Sequence, residues 1–138
     1  MNGNIARLAL LLAFGLALAA CSTDVKEPEP NIFPADYKKE ILETMTKMLE
    51  VPTAVREAFI SEPVLLPVNK EPRFTVCVRA NARDMEGRYT GSKDRIAFFY
   101  GGHLNQLVLA DAGQCTKAAY KPFPELEKLC FNNNNKCD

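Results

Sequence analysis

The sequence predicts an α+β domain. An N-terminal amphipathic helix, with room for a short second helix, packs on a three- to four-stranded antiparallel meander that disulfides staple. Three observations predict it. Apolar residues recur at helical spacing after Asp36, apolar and polar residues alternate from Arg73 to Arg83, and Gly101-Gly102 separates two further apolar runs. Helices gathered on one face of an antiparallel sheet define this class.

The first helix is predicted to begin near Asp36, whose side chain suits an N-cap, and to end before Pro52. Its apolar face, which we interpret as core packing, comprises Tyr37, Ile41, Met45 and Met48, widened by Leu42 and Leu49. A shorter helical turn is expected over residues 53–58. A short helix is expected over residues 124–129, where proline takes the first position.

The middle of the chain carries the strand signals. Residues 59–66 read as an edge strand or an irregular extended segment because Pro63 and Pro67 bound its second half. Residues 73–83 form the clearest strand, with one face in the core and one polar face. Residues 84–94 read as a connection rich in turn formers. Two further strands, 95–100 and 104–110, flank the Gly101-Gly102 turn.

The N-terminal segment has the layout of a secretory signal. Arg7 precedes an uninterrupted apolar run from Leu8 to Ala20, which is shorter than the roughly 20 residues that a spanning helix needs. Small residues then precede Cys21, and Leu18-Ala19-Ala20-Cys21 resembles the lipobox of bacterial lipoproteins. The resemblance implies that Cys21 becomes the lipid-bearing first residue of the mature protein.

The chain therefore divides into four parts. We expect a lipoprotein signal peptide over 1–20, the lipidated cysteine and a proline-rich tether over 21–35, one α+β domain over 36–130, and a polar, asparagine-rich tail over 131–138. The alternatives for the first segment are an uncleaved membrane helix, an ordinary cleaved signal, and a buried helix of the domain. The residue after Cys21 is Ser22 rather than aspartate. In the sorting pattern of the lipoprotein family, this implies a protein anchored in the outer membrane and facing the periplasm.

Composition narrows the functions that fit. The whole chain has 17 basic and 17 acidic residues, and removing Arg7 with the signal leaves 16 basic against 17 acidic. This balance gives no reason to expect a nucleic-acid partner. His103 is the only histidine, and we interpret it as a solvated loop residue. We therefore predict no catalytic residues, no cofactor and no metal.

Four cysteines follow Cys21, and an even number in an exported protein suggests disulfides. Three pairings are open, of which we favour Cys77 with Cys115 and Cys130 with Cys137. The latter two are separated by a short polar segment whose ends meet easily. A zinc site is the weaker alternative because the chain has no Cys-x-x-Cys pair.

A cationic cluster is the candidate partner-binding site. It would suit acidic lipid headgroups, a glycan or a partner's carboxylates. The alternative is a solvated strand face with local ion pairs. Its members are Arg79, Arg83, Arg88, Tyr89, Lys93 and Arg95.

Several short segments resemble a group of small, uncharacterised lipoproteins of alphaproteobacteria. They are Cys77-Val78-Arg79, Gly91-Ser92-Lys93-Asp94, Gly101-Gly102 and Pro122-Phe123-Pro124-Glu125-Leu126. The resemblance spans most of residues 34–129 and implies a location but no activity. The order of a helix followed by a meander is also broadly similar to small lipoprotein subunits of outer-membrane assembly machines.

These observations predict a membrane-anchored envelope lipoprotein that binds a protein partner or scaffolds an assembly without catalysis. One alternative is an inhibitor of a lysozyme or protease, with the Gly101-Gly102-His103 hairpin tip entering an active-site cleft. Another is an enzyme with an unrecognised site, which a deep pocket lined by Arg79 and an acidic residue would favour.

Overall fold

The computed structural model describes residues 31–129, and that part of the chain is mostly antiparallel sheet with two short helices and one disulfide. The predicted signal, Cys21, most of the tether, and Cys130 with the tail lie outside the described residues. In chain order the elements are α1 (Tyr37–Met48), β1 (Val51–Ile60), β2 (Val64–Val68), β3 (Glu71–Arg83), β4 (Tyr89–Tyr100), β5 (His103–Leu109), β6 (Lys121–Pro122) and α2 (Pro124–Glu127).

The sheet is built around β3, and its six described strands exceed the three or four predicted. The order is β5-β4-β3-β1-β6, and β2 also pairs with β3. β2 and β1 lie end to end along the same side of β3, because β2 pairs with residues 71–75 and β1 with residues 78–83. Ser61 bridges the break between them, since its N–H donates to the Cys77 carbonyl at 2.9 Å and its Oγ accepts from the Cys77 N–H at 2.9 Å.

The helical turn predicted over residues 53–58 is wrong, because these residues belong to β1. Two bulges interrupt the pairing of β1 with β3, and Ala54 and Glu57 within it adopt positive φ values of 54° and 52°. Each bulge shifts the side chains that follow it to the other face. The bulges therefore remove the apolar alternation that would have marked a strand.

The connection predicted over residues 84–94 is too long, because β4 begins at Tyr89. The turn occupies only residues 84–88, and one side chain organises it. Asp84 Oδ1 accepts hydrogen bonds from the backbone N–H groups of Glu86 and Arg88 at 3.1 and 2.9 Å. The polar start of β4 has no apolar alternation, so the sequence pattern indicates a loop there.

The two predicted hairpin strands around Gly101-Gly102 are confirmed. Both glycines have positive φ, 56° and 83°, which a side chain would disfavour. The strand predicted over residues 73–83 is confirmed as part of β3. Of the edge strand predicted over residues 59–66, residues 64–66 are confirmed as part of β2 (Val64–Val68). Residues 59–60 instead belong to β1, which lies between β3 and β6 and is not an edge strand.

The main core lies on one side of the sheet. Tyr37, Ile41 and Met45 of α1 are buried in one cluster with apolar side chains of the strands and with Phe123 and Leu126 at α2. The strand residues in that cluster include Val76, Val78, Ala80, Ala97, Phe99 and Leu107. Residues 121–122 form the short strand β6, which pairs with β1 and which the sequence pattern did not predict. The Phe123 N–H donates to the Ala58 carbonyl at 2.8 Å and holds residues 121–127 beside this core.

The opposite side of the sheet, predicted to be polar, is partly covered. Cys77, Ile96 and Cys115 form a second buried cluster, and Phe98 and Tyr120 pack against it. The predicted Cys77–Cys115 disulfide is confirmed, and it pins residues 110–120 across this face. We call this side the disulfide face.

Candidate functional site

The sequence-predicted cationic cluster is divided between the two faces of the sheet. Arg79 and Arg83 alternate with the core residues of β3 and so lie on the disulfide face. Lys93 and Arg95 pair with Ala80 and Val78, whose side chains face the main core, so they lie on the other side. Arg88 lies in the β3–β4 turn. The six residues therefore do not form one continuous patch.

Arg79 makes the best-defined polar contact of the disulfide face. Its Nε and Nη2 donate to the two carboxylate oxygens of Asp94 at 2.7 and 2.9 Å, and its guanidinium lies 4.6 Å from the ring centroid of Tyr120. The pairing raises the pKa of Arg79 and lowers that of Asp94. Burial, with the adjacent Asp94 carboxylate, raises the pKa of Tyr120 to about 12.

A cavity of about 360 Å³ lies beside this pair, bounded by the pinned loop from Ala110 to Ala118. The buried Tyr120 hydroxyl borders it and, although it lies near Asp94, has no hydrogen-bond partner of good geometry among the described residues. Arg79 and Asp94 also line the cavity, but the Arg79 guanidinium already donates hydrogen bonds to both carboxylate oxygens of Asp94. The cavity therefore offers the Tyr120 hydroxyl, beside Asp94, rather than a free cation or a free base.

Arg88 and Tyr89 make local contacts. Arg88 donates to Asp84 at 2.9 Å and to Glu86 at 3.3 Å within the turn. The Tyr89 hydroxyl donates to the Ala54 carbonyl at 2.8 Å, and Arg56 stacks 4.3 Å from the Tyr89 ring centroid. These pairings describe a solvated strand end held together by ion pairs and stacking.

Arg83 and Arg95 each bury an Nε atom that has no acceptor among the described residues. Burial lowers the pKa of Arg95, and no described carboxylate offsets that effect. They lie on opposite faces, so they do not converge on a common ligand.

A polar cluster that the sequence pattern did not reveal lies at the bulge of β1. Glu57 Oε2 accepts hydrogen bonds from Ser92 Oγ at 2.5 Å and from Asn81 Nδ2 at 3.1 Å, and these bonds lower its pKa. The positive φ of Glu57 marks the site. A single sequence shows no signal for it, because the bulge that brings Glu57 to Ser92 depends on pairing with β3.

A cavity of about 820 Å³ lies at the other end of the disulfide face. Its size falls within the range of ligand-binding clefts. Phe98 and Tyr100 contribute aromatic side chains, and Arg73 lies 3.8 Å from the ring centroid of Tyr100. The carboxamides that line it are Asn69, Asn105, Gln106 and Gln114.

A smaller cavity of about 200 Å³ adjoins it and shares Gln114. Val64 and Leu66 of β2 form one wall, and Lys117 and Ala118 of the pinned loop form the other. Val64 and Leu66 are 50% and 41% exposed although they are large and apolar. We call these two joined cavities the β2 cleft.

The Gly101-Gly102-His103 hairpin tip packs against the domain. His103 Nδ1 lies 3.1 Å from Glu40 Oε1, and the other oxygen of Glu40 accepts the Leu104 N–H at 2.5 Å. A Cβ on Gly102 would meet the Ile32 side chain at 3.0 Å. The tip is therefore tied to α1 and to the segment that precedes it.

Two further features of residues 31–129 bear on function. They hold no group of three or more histidine, cysteine or acidic side chains that could bind a metal ion. Neither described helix has the length and apolar character needed to cross a membrane.

Comparisons with protein-family models, with curated proteins and with solved structures found no match to this chain.

Proposed function

We propose that this chain is a lipid-anchored protein of the bacterial envelope that binds a protein partner, or scaffolds an assembly, without catalysis. The anchor is Cys21 in Leu18-Ala19-Ala20-Cys21, and the membrane is the outer membrane with the domain facing the periplasm. Membership of the alphaproteobacterial lipoprotein group is part of the same proposal. An oxidising compartment accords with the Cys77–Cys115 disulfide.

The β2 cleft is the observation that carries the binding proposal. Val64 and Leu66 form an exposed apolar wall, and the disulfide fixes the loop that forms the opposite wall. Exposed apolar clusters with polar rims are typical of interaction sites. Because the disulfide already orders the loop, binding there costs less conformational entropy than it would at a free loop.

Recognition at the cleft would use side chains rather than strand addition. β2 has no partner on its outer edge within the described residues. Val68 and Glu71 form the pair that closes the hairpin. Because hydrogen-bonded positions alternate along an antiparallel strand, the backbone N–H and C=O groups that point away from β3 belong to residues 65 and 67. Pro67 has no N–H to offer there, and proline on an edge strand protects against added strands.

Site-specific photocrosslinking in intact cells tests this proposal. A photoreactive amino acid at Leu66 should give a discrete adduct with a partner, and a second substitution, Val64→Ser, should reduce that adduct. Leu109 is the matched control position, because it is a leucine exposed by 60% on the opposite edge strand β5. Absence of an adduct at Leu66, or equal adducts at both positions, would contradict the proposal.

An enzyme is the second candidate, because a cavity lined by Arg79 and the acidic Asp94 is present. Those two groups bind each other through both carboxylate oxygens, and the lowered pKa of Asp94 keeps it ionised at neutral pH. An ionised, paired carboxylate is unsuited to donate a proton. Turnover of a hydrolase substrate panel that Asp94→Asn abolishes would replace the binding proposal with this one.

The inhibitor hypothesis gains no support from the hairpin tip, which contacts Ile32 and Glu40. Inhibition of a purified lysozyme or protease by the chain at near-stoichiometric ratio would restore it.

A further inference from the structure

We propose that the domain rests on a lipid surface through an apolar patch formed by Ile32, Phe33 and Leu65, which we call the tether-end patch. This inference depends on the proposed anchor at Cys21 and goes beyond it, because it fixes how the domain is oriented on the membrane.

The three side chains are large, apolar and exposed, and two of them flank Phe74. Ile32, Phe33 and Leu65 are 51%, 54% and 47% exposed. Phe33 packs edge-on against Phe74 with ring centroids 5.5 Å apart, and Leu65 is the cross-strand partner of Phe74 on the same face. Phe74 itself packs against the main core, so the patch has a rigid support.

The patch lies at one end of the sheet. The β2–β3 turn closes at Val68 and Glu71, and the β4–β5 turn closes at Tyr100 and His103. Because Thr75 of β3 pairs with Phe98 of β4, both turns lie at the same end. Ile32 contacts this end at Gly102, whereas the β3–β4 turn with Met85 lies at the other end.

The short chain between the proposed anchor and the patch is the reason to propose a lipid surface as the occupant of the patch. Asn31 lies ten positions after Cys21, and a fully extended chain of that length reaches at most about 35 Å. A lipid on Cys21 would therefore hold the tether-end patch close to the bilayer at high effective concentration. Half-exposed Ile, Phe and Leu side chains favour the apolar side of a membrane interface.

Charge at this end contributes little to the docking. Arg73 pairs with Glu71 at 2.6 Å and Lys121 pairs with Glu62 at 2.9 Å, so these four charges cancel. The remaining basic and acidic residues near this end are nearly balanced: Lys38, Lys39 and Lys70 against Asp36 and Glu40. Contact with lipid should thus be insensitive to salt and to the fraction of anionic lipid.

Tryptophan fluorescence of the full lipidated chain tests the inference, because the chain contains no native tryptophan. The chain is expressed with its own signal, purified and reconstituted into phosphatidylethanolamine–phosphatidylglycerol vesicles with and without brominated acyl chains. Phe33→Trp and Leu65→Trp place probes on two elements of the patch. Met85→Trp is the control, because Met85 is 73% exposed at the opposite end.

The fluorescence and flotation results distinguish a lipid contact of the patch from self-association and from loss of the anchor. The inference predicts blue-shifted emission and bromine quenching for Phe33→Trp and Leu65→Trp, unchanged by salt, and neither effect for Met85→Trp. Flotation with the vesicles without quenching at the two patch positions, or equal quenching at all three, overturns the inference and leaves the anchor intact. Blue-shifted emission that depends on protein concentration and not on lipid makes the patch a contact between two copies. Failure of the chain to float, or absence of acyl chains on Cys21, overturns the proposed anchor instead.

Discussion

The Arg79–Asp94–Tyr120 contact shows how a cationic residue of a strand is neutralised by its neighbours. Arg79 and Asp94 face each other because β3 and β4 pair in that register, and Tyr120 reaches them from the loop that the disulfide pins. The sequence alone indicated the charges but not their partners, since Asp94 and Arg79 are 15 residues apart. Ion pairing across strands thus removes Arg79 from the set of free cations.

The loss of folding stability at acid pH should depend in part on the Arg79–Asp94 ion pair. The pKa of Asp94 is lower in the folded protein than its unfolded value of about 3.9, so its contribution is complete above that pH and is lost as the pH falls through the folded value. Asp94→Asn should cost about 1 kcal/mol at neutral pH, the upper range for a half-exposed pair.

Urea unfolding at neutral pH and near pH 3 measures this effect. The wild-type chain should lose more stability on acidification than the Asp94→Asn variant does. Asp111→Asn is the control, because Asp111 is exposed in the adjoining loop. An equal loss for wild type and Asp94→Asn would show that the pair contributes nothing.

At the scale of elements, regular periodicity was predictable and irregularity was not. Residues 73–83 alternate cleanly, and their strand is confirmed in β3. Residues 53–58 of β1 were predicted as a helical turn because the bulges with positive φ at Ala54 and Glu57 break its alternation. β6 has two residues and forms only because β1 is already in place. The β2 cleft combines residues of β2, β3, β4 and β5 with residues 114–119, so no local pattern could have revealed it.

The helix offers a direct test of its packing. Met45 and Met48 lie on the same helix α1, and Met45 is fully buried whereas Met48 is 42% exposed. Met45→Ala should lower the free energy of unfolding by about 2–4 kcal/mol through lost contacts and a residual cavity. Met48→Ala should change it by no more than about 1 kcal/mol. Equal effects in denaturant unfolding would mean that α1 does not pack on the sheet through Met45.

For the whole molecule, the disulfide connects fold and site. Cys77–Cys115 joins the central strand to the loop that walls both the β2 cleft and the Tyr120 cavity. The double change Cys77→Ala/Cys115→Ala should lower the free energy of unfolding by about 2–4 kcal/mol. It should also weaken the Leu66 crosslink, because one wall of the cleft loses its fixed position. An unchanged crosslink with reduced stability would show that binding at Leu66 does not need the loop held by the disulfide, and would contradict a cleft with two fixed walls.

The lipid anchor is the central claim, because location and orientation both depend on it. The N-terminal mass of the protein isolated from membranes tests this claim most directly. We predict a mature chain that begins at Cys21 and carries acyl chains, and a Cys21→Ser variant that incorporates no palmitate label. A mature chain that begins at another residue, or an unmodified Cys21, would contradict the account.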